Sequence, residues 1–129
     1  MFDAEWPDAT TEVTAWLTAD LSIPVRWTVP NPRPDQFVVV RRTGDADSPT
    51  WAERASLAVD CWSGEPNSNP KPAHLLASAV KRSLLAMPAG NNPIGDVTVT
   101  GRAYAPDPAS LVPRVTLGVA VLIRPYAAS

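Results

Sequence analysis

Residues able to do chemistry are few and scattered. His74 is the sole histidine among 129 residues and Cys61 the sole cysteine. A histidine-rich metal centre, a cysteine-based zinc site and an internal disulfide therefore all lack their ligands. A Ser–His–Asp arrangement would have to recruit His74. That residue follows "NPKP" at the start of a helical pattern, opposite the apolar stripe, and is expected to be a solvent-exposed helix position. Cys61 lies on the inward side of an alternating run, the place of an inert buried thiol. Asp45 and Asp47 flank a single residue in a Gly/Ser/Pro stretch. Two carboxylates are too few to hold a cation, and Asp in such stretches ordinarily builds turns. The six glycines are dispersed, so no phosphate-cradling loop is present.

Arginines and aromatics form the denser pattern. Arg41 and Arg42 end one apolar run and Arg54 begins the next. If these runs form a hairpin, the three guanidinium groups gather at the base of the 43–53 loop, placed for phosphate, for a partner's carboxylates, or simply for solvent. Trp51 and Trp62 bracket the second run. Tryptophan at a loop edge suits an interface, and it is equally a core filler, the expectation for at least one of this pair. These residues suit a surface that binds protein better than a pocket that carries out a reaction.

The elements that must position them read in order along the chain. Asp8 caps a helix over 9–19, with Glu12 in its first turn and Val13, Trp16 and Leu17 on one stripe. "SIPVRWTVP" (22–30) alternates Ile23, Val25, Trp27 and Val29 against Pro24, Arg26 and Thr28, a strand whose proline implies a sheet edge or a bulge. "QFVVVRR" (36–42) is a strand buried on both faces, followed by a polar loop, "TGDADSPTW" (43–51). "RASLAVDCW" (54–62) alternates again. A second helix over 73–87 gathers Ala73, Leu76, Ala77, Val80, Leu84 and Met87, with Pro88 and Gly90 ending it. "DVTVTGRAY" (96–104) and "RVTLGVAVLIR" (114–124) close the chain as an antiparallel pair joined by "APDPASLVP", expected to be extended and stiff. The order α–β–β–β–α–β–β predicts one α+β domain over 1–129: a mostly antiparallel sheet of about five strands with two helices on one face.

Composition narrows the class. The hydrophobic fraction is 45%, charged residues make up 19%, and the net charge is −2, values of a soluble globular chain with no electrostatic bias toward nucleic acid. Nine arginines against two lysines are as consistent with a GC-rich genome as with a function. Acids in "MFDAEWPDATTE" do not suit a signal peptide, and no run is apolar for long enough to span a membrane, so a soluble chain made in the cytoplasm is expected. The fifteen prolines are about twice the usual ~5% and stand as punctuation between elements, without forming a low-complexity tract.

Several segments taken together carry a resemblance: "FVVVRRTG" running into an Asp-rich loop, "LAVDCW", "AHLLASAVKRSLLAM" and "PDPASLVPRVTLGVAVLIR". Each is weak alone, but their order and spacing, from about residue 12 to residue 125, resemble the tail terminator proteins of long-tailed bacteriophages. The resemblance implies an α+β virion protein without enzymatic activity or cofactor. It would form a ring, typically a hexamer, that caps the finished tail tube and joins tail to head. Implied partners are further copies of the chain, the major tail tube protein and a head-completion or connector protein. Neither a membrane nor a specific nucleic-acid sequence is among them, although DNA would cross the ring lumen. The residues that would meet neighbours are Arg41, Arg42, Asp45, Asp47, Trp51, Arg54, Asp107 and Arg114. Two alternatives remain: another neck component such as a head-closure protein, or a small ligand-binding or catalytic α+β domain with Asp60 and Arg102 turned into a cavity.

Overall fold

In a computed structural model of the chain, residues 8–45 and 53–124 are described. Helix α1 (Ala9–Leu21) starts where Asp8 accepts a hydrogen bond from the Thr11 amide at 3.3 Å, and it ends at Ser22 in the left-handed region. Ala9, Val13 and Leu17, one per turn, form its buried stripe. Trp16 is only partly buried. Its indole N–H donates to the Ser83 carbonyl and hydroxyl, tying this helix to the second one.

Four longer strands and one short one build a single sheet in the order β1-β2-β3-β5-β4: β1 (Val25–Arg26), β2 (Gln36–Asp45), β3 (Glu53–Ser63), β4 (Ile94–Tyr104) and β5 (Arg114–Ile123). Every pairing is antiparallel except β1 with β2. Helix α2 (Lys71–Ala86), continued by a 3-10 turn at Met87–Ala89, packs with α1 on one face of the sheet. The α+β architecture and its element order are those that the periodicities predict. All six residues of the predicted α2 stripe, Ala73 to Met87, are buried. Gly90 follows where the chain passes Trp16 so closely that a β-carbon would lie 2.6 Å from its ring.

The main core lies between helices and sheet. Val38 and Val40, then Leu57, Val59 and Cys61, then Val115, Leu117 and Val119 meet across the ladder and face both helices. The second face is also partly sealed. Phe37, Val39, Trp62 and Val112 form a smaller buried cluster there, with Phe37 and Trp62 stacked at 5.1 Å between ring centroids. The double burial expected for β2 over 36–42 holds only for Phe37–Val40, since Arg41 and Arg42 are exposed, and β3 is buried on both faces from Leu57 to Ser63.

Three expectations change. The strand read over 22–30 is only two residues long, and Trp27 and Val29 are exposed. Bends at 27–28 turn the chain away, and prolines at 24 and 30 withhold two donors. Pro24 does mark a sheet edge, as its position implies. The polar loop begins later than residue 43, because β2 runs to Asp45 after a register shift between Arg42 and Gly44. Such a bulge lets polar residues stay in the ladder. The loop "APDPASLVP" is not extended. Asp107 and Val112 pair through a 3.1 Å backbone bond, and the Leu111 amide donates to the Asp107 carbonyl at 2.7 Å, folding it into a compact turn.

This packing separates two leucines that are neighbours in sequence. Leu84→Ala, in the main core, is expected to cost about 2–5 kcal/mol of unfolding free energy. Leu85→Ala, 50% exposed on the outer face of α2, should stay within about 0.5 kcal/mol of wild type. Urea unfolding followed by far-UV circular dichroism checks both.

Candidate functional site

Antiparallel pairing brings the start of β2, the end of β3, the end of β4 and the start of β5 to one end of the sheet. The loops there bind one another. The Gly64 amide donates to the Asp35 carbonyl at 3.0 Å, and the Asn67 amide to the Leu111 carbonyl at 2.9 Å. Gly64 holds φ at +105°, a conformation that side chains rarely tolerate.

Within the 105–113 loop, Asp107 is the organising residue. One carboxylate oxygen accepts from the Ser110 amide at 2.8 Å and from its hydroxyl at 2.6 Å. These bonds, the hydroxyl's foremost, hold the Asp107 carboxyl below its usual range, with Arg114 and Arg33 adding smaller favourable charge. Arg114 donates to the Ala105 carbonyl at 2.9 Å, lies 3.9 Å from Asp107, and stacks 5.2 Å above Trp62. The outcome is a rigid turn that leaves Leu111 46% exposed with φ at +62°. A branched apolar side chain in that region stores strain that the surrounding bonds must offset. The sequence signal for this turn is an Asp followed three residues later by Ser, which shows side-chain-to-backbone capping but not its partner Arg114.

The sheet face away from the helices carries the second constellation. Asp60 is buried in the middle of β3, its side chain 4% exposed, and it is fully engaged. Arg41 reaches both its oxygens, at 2.8 and 3.3 Å, and the Thr116 hydroxyl donates at 2.7 Å. The bond to Asp60 raises the Arg41 pKa, and half of the Arg41 side chain remains exposed. Arg54 lies on the same face, lining a shallow hollow of about 290 Å³ with Asp96, Thr98, Ala120 and Leu122.

The expected arginine cluster is therefore divided by the pleat. Arg42 pairs with Leu57 in the ladder and faces the helices, where it binds Glu53 at 2.7 Å and approaches Asp8 at 4.0 Å. Arg41 and Arg54 occupy the opposite face. Asp45 ends β2 opposite Ala55, while Asp47 and Trp51 lie outside the described residues. Asp107 and Arg114 come together, though on the loop end and not with the arginines.

Nothing in this geometry builds a reacting centre among the described residues. Asp60 and Arg102 do not share a cavity, for they pair with Thr116 and Leu117, consecutive residues on opposite faces of β5. Arg102 instead donates to the His74 carbonyl at 2.7 Å and to the Ser78 hydroxyl at 3.0 Å. His74 is half-buried and stacks on Tyr104 at 5.6 Å, a correction to its expected exposure that follows from β4 passing beneath α2. Burial, and secondarily the charge of Asp60, push the Cys61 thiol up to about 12, which removes the thiolate needed for attack. No group of three or more potential ligands is placed to hold a metal among the described residues, and none of their helices is long and apolar enough to cross a membrane.

Comparison with known proteins yields a fold relative. No protein-family profile and no curated protein sequence matches the chain. Among solved structures it is similar to a chain of the virion of a native gene transfer agent particle, with 17% identity, 85% of each chain covered and a TM-score of 0.59. That likeness is one of fold.

Asp107 supplies a pH test of the loop. Its native pKa lies below the unfolded value of about 3.9, so its contribution is present above about pH 4 and disappears as pH falls through the native pKa. Asp107→Asn should lower stability at pH 7 by about 1 kcal/mol. The gap from wild type should close on acidification, as read by thermal unfolding at a series of pH values.

Proposed function

We propose that this chain is a structural virion protein of the tail terminator type, which caps a finished phage tail tube as a ring of identical copies and offers the surface on which the head is joined. The observation that carries this reading is the likeness of fold to a virion chain over 85% of both lengths. The ordered sequence segments that resemble tail terminators support it independently. The geometry suits such a role, because rigid loops and side chains locked in place lose little freedom when a neighbour docks.

In this reading the partners are further copies in a hexamer, the tail tube beneath and a head-completion protein above, with DNA crossing the lumen without base-specific contacts. Arg41 and Arg54 present charge on the open sheet face, while Asp107 and Arg114 stiffen the loop end. Surface ion pairs each add only about 0–1 kcal/mol, so apolar anchors must carry most of the affinity. Trp51 is the proposed anchor on the 46–52 segment, and Leu111 is the exposed apolar residue of the loop end.

A nonsense codon in the gene tests the proposal directly. Overlong, headless tails beside DNA-filled heads are expected in electron micrographs, with Trp51→Ala giving a partial form of the same phenotype. Tails of normal length that fail to join heads would instead assign the chain to head closure. Particles of normal yield and tail length would remove it from the neck altogether.

A further inference from the structure

We infer that the chain associates with copies of itself by strand addition, the 25–29 segment of one copy extending along the free edge of β4 in the next. Both edges of the sheet are open among the described residues, and they are unequal. On one side β4 offers eleven residues, Ile94–Tyr104, free of proline, with β5 as its only strand partner. On the other side β1 is two residues long. A long unpaired edge is a template for another strand, and native proteins ordinarily cover or blunt it.

The segment around β1 carries more strand character than the single chain uses. Ile23, Val25, Trp27 and Val29 alternate across residues 22–30, yet only Val25 and Arg26 enter the ladder. Trp27 is 57% exposed and Val29 44%. The hydrogen-bonding direction favours an outside partner. The Val38 amide donates to the Pro24 carbonyl at 3.0 Å, so Pro24 and Arg26 turn their backbone groups toward β2. By alternation, Val25 and, once the segment is straight, Trp27 turn theirs outward. The outward Val25 carbonyl is occupied by the Arg26 guanidinium of the same chain at 3.0 Å. Arg26 thus acts as a placeholder on the edge, and a neighbouring strand would displace it.

A second copy is the occupant that fits, because one chain carries both halves of the contact on opposite sides of one sheet. Such an interface joins unlike surfaces and repeats from copy to copy. The strand directions agree with it. β1 runs parallel to β2, and each later pairing reverses, so β4 runs opposite to β1. A sheet continued by rotation about an axis along the strands therefore meets the next copy in antiparallel pairing. Closure into a ring rests on the function proposed above, whereas the edge contact itself does not.

Sedimentation velocity and hydrogen exchange on the purified full chain, over a concentration series, test the contact. Concentration-dependent association is expected, with amide protection gained over residues 25–29 and 94–104. Arg26→Ala should strengthen association several-fold by unmasking the Val25 carbonyl. Trp27→Pro, which deletes one of the two outward donors, should weaken it about five- to tenfold, the worth of roughly one backbone hydrogen bond. Trp27→Ala keeps that donor and should weaken it less. If Trp27→Pro does not fold, Arg26→Ala and the exchange map decide. A chain that stays monomeric throughout, Arg26→Ala included, overturns the inference, as does association that protects other segments. Rings on tails with protection elsewhere would sink edge pairing and leave the terminator reading standing. Edge-paired association in a chain whose loss leaves tails normal would do the reverse.

Discussion

The burial of β3 on both faces from Leu57 to Ser63 is the constraint on which the rest of the structure depends. A strand in the middle of an antiparallel sheet is usually wet on one side. Here the odd positions face two helices, while Ala58, Asp60 and Trp62 face a side on which neither of the two described helices lies. Cover comes from elsewhere. Phe37 and Val39 lie beside Trp62, and Val112 is folded over it by the 105–113 turn. The prolines, the Asp107 cap and the Arg114 stack are consequences of this need, since a loop that closes a core must keep one shape.

Asp60 shows the same constraint in polar form. A carboxylate under this much cover is tolerable only when its oxygens are bonded, and Arg41 and Thr116 come from the two strands flanking β3 to bond them. The arrangement also fixes Arg41. Its guanidinium is half exposed and bonded to both Asp60 oxygens, so it adds a charge of defined position to that face.

Much of this was legible in the sequence wherever a period carried the information. The α2 stripe, the alternation of β5 and the cap at Asp8 follow from spacing alone, because each is a local pattern read by one core face. What was not legible depends on register. Neighbouring arginines 41 and 42 look like a pair, but the pleat sends them to opposite faces, and only the pairing with Ala58 and Leu57 shows which goes where. His74 looked exposed because a helical wheel has no knowledge of Tyr104, thirty residues later. The compact turn of the 105–113 loop is not legible, because proline stiffens a chain without saying which way it turns.

The segment from 22 to 30 departs from its own pattern for a different reason. Its alternation is as regular as that of the strands that formed, so the local signal and the fold of the single chain disagree there. Natural sequences tend to agree across levels, and disagreement concentrates where something beyond the single folded chain has shaped them. The disagreement falls at a sheet edge, beside an arginine that occupies the backbone carbonyl of Val25, and across the sheet from a second edge that is open among the described residues. A strand pattern left unused by the monomer is most simply explained as one meant for an assembly. On that view the isolated chain is stable because β3 is covered, and it is unfinished because, among the described residues, its sheet edges are not.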